Sequence, residues 1–203
     1  MINRTYEEYE RLIGELVARP DTAPFEAVLE IGAIPDARSL LNASALKGSA
    51  LHEGARKVGV NLTLEGSFGD FEVQKGDARE LVFEDRSFDL IVCASTLEHI
   101  PDFWRALDEM KRVLRPGGWL VVSTPGFGQE EVGNRVRGLA HKLGLPDALK
   151  RGTITMRIHD APYDFYRFSE YAYRDVVLKG LEEVEVWSIM TPPRIYGMGR
   201  KGV

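Results

Sequence analysis

The chain has 203 residues, 44% of them hydrophobic, enough for one substantial core, and nothing in it reads as a long flexible linker between two domains. A formal net charge of −5 opposes non-specific attraction to phosphate backbones, which makes nucleic acid a poor first partner. A single cysteine, Cys93, excludes an internal disulfide framework; no apolar stretch approaches the roughly 20 residues that cross a bilayer, and the polar start is unlike a secretory signal, so a soluble cytoplasmic protein is predicted.

Tyr6, Tyr9, Leu12, Ile13, Leu16 and Val17 recur at helical spacing, and Thr5 with Glu8 has the form of a capping box. An amphipathic helix over 3–19 is predicted to open the chain. After Pro20, residues 25–31 form a short continuous apolar run, as a strand covered on both faces would. DARSLLNASALKG then predicts a helix, with Asp36 capping its free amides and Gly48 ending it, and KVGVNL a second strand. FEVQ, FDLIVCAS and WLVVSTP are the next strands. Between the last two, PDFWRALDEMKRVLRPGG predicts a helix with Phe103, Trp104, Leu107, Met110 and Leu114 on one stripe and Pro116-Gly117-Gly118 as its stop. Residues 126–165 are less regular. SEYAYRDVVLKG predicts a last helix, EEVEVWSIM a strand, and RIYGMGRK a final edge strand.

Strand, helix, strand in succession implies right-handed parallel crossovers and an open sheet, which binds ligands beyond the carboxyl ends of its strands where strand order reverses. The informative residues therefore follow strands: Gly32, Asn61, Gly76-Asp77-Ala78 and Ser95 to His99. In VLEIGAIPDARS, Glu30 and Gly32 close the first strand, but Ile34 and Asp36 stand where a dinucleotide loop has its second and third glycines. A pyrophosphate needs all three, so a nicotinamide-dependent oxidoreductase is disfavoured. By itself, Glu-x-Gly suits a strand followed by a turn as well as a cofactor loop.

VLEIG, QKGDARELVFEDRSFDLIVCASTLEHI and MKRVLRPGGWLVVSTP, together spanning most of residues 26–125, resemble the successive signature segments of class I S-adenosylmethionine (SAM)-dependent methyltransferases, in particular the small-molecule, type 11-like domain with its Leu-Glu-His-Ile pattern. The resemblance implies an α/β fold: a Rossmann-like, doubly wound, mostly parallel seven-stranded sheet with helices on both faces, in one domain over 1–203. It also implies SAM as cofactor and methyl transfer to a small or medium-sized acceptor, such as a glycan, a lipid-linked sugar or a secondary metabolite. Carried onto this chain, Glu30 can engage the ammonium directly or through water, Gly32 lets the backbone approach, Asn61 stands where the ribose-holding residue is expected, Asp77 accepts from the adenine amino group, Ala78 offers its amide to the ring, and Leu62 and Ser95 complete the cofactor-binding set. Two positions depart from the family pattern. The loop after Gly32 lacks glycines and Pro35 restricts Ile34; and Asn61 replaces an acidic residue, forgoing a charge-assisted bond. On this reading Asn61→Asp tightens SAM binding. The departures motivate a rival in which the chain is a catalytically silent, methyltransferase-like binding module.

HDAPYDFYRFS resembles a segment found before the last helix in some of these enzymes and is expected over the sheet's carboxyl edge, within a variable lid or substrate segment at 126–165. Here His159 is the first choice for a general base, and Tyr163, Tyr166 and Arg167 are expected to bind substrate, unless the Tyr and Arg side chains pin the final helix to the sheet. His99 is a second candidate base, or a histidine bonded to nearby backbone. The four histidines are scattered, so no metal is expected. VGNRVRGLAHKLGL presents an apolar helical stripe that suits a lid, or contact with a lipid-linked substrate or membrane surface.

Overall fold

The computed structural model describes residues 3–128, 139, 141–144, 154–155, 163–190 and 193–203. Helix α1 (Asn3–Val17) is followed by β1 (Phe25–Ile31), β2 (Leu51–Asn61), β3 (Gly66–Phe68), β4 (Phe71–Lys75), β5 (Phe88–Ala94), α2 (Phe103–Val113) and β6 (Leu114–Pro125). A two-residue pair, β7 (Phe127–Gly128) with β8 (Ile154–Thr155), precedes α3 (Glu170–Ala172), which continues as a π turn over Tyr173–Val177, and then β9 (Glu182–Met190) and β10 (Pro193–Arg200).

The main sheet has eight strands in the order β3-β4-β2-β1-β5-β6-β10-β9. Its five central strands run parallel. The chain leaves β1 toward β2 and β4, then returns to β5 and β6 on the other side, so the order reverses between β1 and β5. The eighth strand, absent from the sequence-based expectation of seven, is β3, a three-residue piece that folds back antiparallel on β4 across Phe68 and Phe71. A second correction concerns RIYGMGRK: β10 is no edge strand but lies between β6 and β9, antiparallel to both. Its residues Arg194 to Gly199 are all buried, while β9 exposes Glu182, Glu183 and Glu185, charges that suit an unpaired edge.

The two faces carry separate cores. One packs Phe103, Ala106, Leu107, Met110 and Val113 of α2 and Tyr173, Val177 and Leu178 against the sheet. The other packs Tyr9, Leu12, Ile13 and Leu16 of α1 with Leu40, Leu41 and Leu46. Trp104 departs from its predicted stripe and is 52% exposed, because it lies one helical step from the buried row. Helix α2 ends at Val113, ahead of the Pro-Gly-Gly stop, because β6 already begins at Leu114.

Two local expectations fail. Thr5 sits inside α1 rather than at its cap, and Glu8 bonds Arg11 and Trp187 Nε1, so no capping box forms. DARSLLNASALKG forms three successive 3₁₀ turns, Leu40–Asn42, Ser44–Leu46 and Gly48–Ala50, instead of a helix. Ala43 and Lys47 are extended between the turns, Ser39 rather than Asp36 provides the cap, and Asp36 pairs with Arg38. Among the described residues no helix is long and apolar enough to cross a membrane. His159 and most of the predicted 132–143 helix lie outside the described residues.

Candidate active site

At the carboxyl edge of the central strands lies a cavity of about 690 Å³. Its floor is the switch point, where Gly32 follows β1 and Ser95 and Thr96 follow β5. Gly32 has φ 81°, and a Cβ placed on it would stand 2.1 Å from Thr96 Oγ1. That hydroxyl bonds the carbonyls of Ala94 (3.0 Å) and Ile31 (3.3 Å), tying the ends of β5 and β1 together. Only glycine fits, for a backbone reason and a packing reason at once.

Glu30 is buried one residue before the cavity and does not line it. Its carboxyl accepts from Ser39 Oγ (2.5 Å) and from the Leu41 amide (3.3 Å), and burial pushes its pKa up to about 7. Asn61 lines the cavity, yet its amide is already engaged. Nδ2 donates to the Ala33 carbonyl (2.7 Å), while Oδ1 accepts from the amides of Thr63 and Leu64, each at 3.0 Å. This side chain clips the loop after β1 to the end of β2. Leu62, 64% exposed, and Leu64 form an apolar wall beside it. Asp77 and Ala78 follow β4 beside Asn61, since the Gly76 amide donates to the Asn61 carbonyl, and line the same cavity. Arg79 grips the Asp77 carboxylate through Nε and Nη2 (2.6 Å) and bridges to Asp102 (2.9 Å), and this guanidinium holds the Asp77 carboxyl below its usual range. Ser95 completes the floor at φ 51°, an uncommon conformation for a residue with a side chain.

Comparison with known proteins fits this architecture. Residues 43–122 match the family model of a methyltransferase domain. Demethylmenaquinone methyltransferase of Bacillus subtilis (strain 168) is 37% identical over 76 residues, 37% of this chain and 33% of that protein, so the match spans about a third of the curated relative's length. Two solved structures share the fold. The Bacillus subtilis YcgJ protein has a TM-score of 0.61 at 17% identity, covering 97% of this chain and 99% of that one. The Burkholderia thailandensis 1,6-didemethyltoxoflavin-N1-methyltransferase, solved with 1,6-didemethyltoxoflavin and S-adenosylhomocysteine, has a TM-score of 0.60 at 18% identity, covering 100% of this chain and 82% of that one. Residues 43–122 are thus similar to a methyltransferase domain, and the chain shares the fold of these solved structures. The family match begins beyond the loop after β1, the stretch in which this chain lacks the glycines usual in such domains.

On the other wall of the cavity, Leu97–His99 forms one 3₁₀ turn that presents His99 to the cavity and Glu98 to the interior. His99 Nδ1 lies 3.1 Å from the Tyr163 carbonyl and 3.2 Å from Asp164 Oδ1. A carbonyl only accepts, so Nδ1 carries the proton and the neutral ring keeps its lone pair on Nε2, which is 3.8 Å from Glu98 Oε1. Burial raises the Glu98 pKa to about 7. The segment after Tyr163 is stapled to this turn: Phe165 donates to the Glu98 carbonyl (2.8 Å), Tyr166 Oη to the Pro101 carbonyl, and Arg167 pairs with Asp164 (2.6 Å). Of the three expected substrate residues, Tyr166 and Arg167 thus direct their polar atoms into the fold, and Tyr163 is 70% exposed beside His99.

Asp164, distant in sequence, comes close enough to Glu98 and His99 that one ligand atom from each lies within 4.8 Å of the others. Arg167, bound to Asp164, and the positive field of Arg194 at Glu98 oppose a cation there. Read from the sequence, Thr96, Arg79, Asp164 and Arg194 had no individual role. Thr96, Arg79 and Asp164 lie inside the quoted motifs; Arg194 carried one signal, a charge within a largely apolar strand.

Proposed function

We propose that this chain binds SAM in the cavity above β1, β2, β4 and β5 and transfers its methyl group to a small or medium-sized acceptor. The observation that carries the reading is the coincidence of a cavity at the switch point with Gly32, Asn61, Asp77, Ala78 and Ser95, which the family pattern assigns to the cofactor, all on its lining. In this reading adenine lies against Ala78 and Leu62, its amino group reaches Asp77 once Arg79 turns toward Asp102, and the methionyl end crosses Gly32 toward Ser95.

The methyl carbon is already activated by the sulfonium, so aligning the acceptor contributes most to the rate. A base is needed only for a nucleophile that must lose a proton. Among the described residues His99 is best arranged for that role: its tautomer is fixed by Tyr163 and Asp164, and its basic Nε2 belongs to a residue of the cavity wall. His159 remains the other candidate base. Tyr163, with Phe165 beside it, offers an exposed aromatic surface for an acceptor at the mouth.

One observation favours a second reading, a silent binding module: Asp77 and Asn61, the groups meant for adenine and ribose, are both engaged within the protein. Soaking crystals with S-adenosylhomocysteine separates the two. The proposal expects adenine within hydrogen-bond distance of Asp77 and Arg79 displaced; an unaltered Asp77–Arg79 pair with an empty cavity at saturating ligand would sink it.

A further inference from the structure

Strand β10 carries a cation into the interior behind the cavity floor. Arg194 is only 4% exposed, and its partners are hydroxyls: Nη2 donates to Ser95 Oγ at 2.5 Å and to Ser123 Oγ at 3.4 Å. Its Nε is buried with no hydrogen-bond partner, and among the described residues no carboxylate pairs with it within 4 Å. Removing a guanidinium from water without an ionic partner costs stability, so the arrangement calls for a compensating role.

Ser95 supplies the connection. It lines the cavity, and because its oxygen accepts from Arg194, its own proton is left to donate. The sites where this fold ordinarily offers an anion free amides are taken. The amides of Gly32 and Ala33 both bond the Val60 carbonyl, at 2.8 and 3.2 Å. That of Leu41, in the first 3₁₀ turn, bonds Ser39 Oγ and the chain's own Glu30 carboxyl. The cavity's other cation, Arg79, is held by Asp77 and Asp102. A carboxylate entering this cavity therefore has one positive neighbour not already paired, reached through one hydroxyl.

We propose that Ser95, with Arg194 behind it as a positioning residue, anchors the carboxylate of the cofactor's methionyl end, replacing the amide cradle that the loop after β1 does not provide. The inference rests on the SAM reading of the cavity. Calorimetry tests it with three probes: S-adenosylhomocysteine, its decarboxylated form, which keeps the amine, and 5′-methylthioadenosine, which lacks both groups. Arg194→Met is expected to weaken S-adenosylhomocysteine about 10- to 100-fold, the size of a lost charge-assisted contact, and the other two less than about 2-fold. Arg194→Lys should retain part of the affinity, and Ser95→Ala should show the same ligand selectivity. Without ligand, Arg194→Met should melt no lower than the parent, since it removes an unpaired buried cation. Equal loss for all three probes would assign Arg194 a structural role, and unchanged binding would remove it from the site; either overturns the inference. A parent protein that binds none of the probes would instead overturn the cofactor reading on which it rests.

Discussion

Gly32→Ala tests the geometry at the switch point. An alanine at φ 81° costs about 1 to 2 kcal/mol of backbone strain. Its Cβ, 2.1 Å from Thr96 Oγ1, also forces that side chain to turn, and the hydroxyl that joins the Ile31 and Ala94 carbonyls contributes about 1 to 2 kcal/mol net. The total is about 2 to 4 kcal/mol. With a urea slope of about 2 kcal/mol/M, the unfolding midpoint should fall by about 1 to 2 M. The contact is separable from the strain. Thr96→Ala removes the obstacle, so the double variant should be less destabilised than the sum of the two single ones, by about 1 kcal/mol or more. Urea unfolding of the four proteins decides the matter. A midpoint shift below about 0.3 M for Gly32→Ala would refute both the positive-φ argument and the Thr96 contact, and strict additivity in the double variant would refute the contact alone.

Asn61→Asp is expected to loosen the site, opposite to the direction the sequence suggests, because it sets a carboxylate against the Ala33 carbonyl now 2.7 Å from Nδ2; weaker S-adenosylhomocysteine binding and a lower melting temperature would bear this out, and tighter binding would contradict it. Glu30 and Glu98, both raised to about 7 by burial, hold protons in the folded state that the unfolded chain has lost. Stability should therefore rise as pH falls from 8 toward 5, by about 1.4 kcal/mol per pH unit for each group at most, and level off below about 4.5. Glu30→Gln and Glu98→Gln should each flatten that slope in urea titrations, and an unchanged slope would show that neither carboxyl is protonated in the fold. Asp164→Asn should shift the tautomer-sensitive ring nitrogen resonances of His99, because the carboxylate oxygen 3.2 Å from Nδ1 is lost; unmoved resonances would show that Asp164 does not orient the ring.

What the sequence disclosed depended on how locally each feature is determined. The strands β1, β5 and β6 are continuous apolar runs, and α2 has a buried row at helical spacing, so both were legible from periodicity alone. The segment after β1 has an apolar pattern that suits a helix, but Ser39 is drawn to the buried Glu30 and Ala43 and Lys47 leave helical geometry, so the leucines reach the core from 3₁₀ turns. The place of β10 inside the sheet was not legible, since it is set by pairing with β6 and β9 across long sequence separations. The residues of the cavity lining could be named because they follow strands. How Asn61 uses its amide could not, because Ala33 comes from another part of the chain, and the Arg79 side chain that holds Asp77 is itself oriented by the distant Asp102.

The most direct measurement of the central claim is calorimetric titration of the parent protein and of Asp77→Ala with SAM and S-adenosylhomocysteine. The account predicts saturable one-to-one binding of both ligands to the parent, weakened by about 1 to 3 kcal/mol in the variant if the adenine bond is buried. No detectable heat with the parent up to millimolar ligand, or identical affinity in the two proteins, would contradict it.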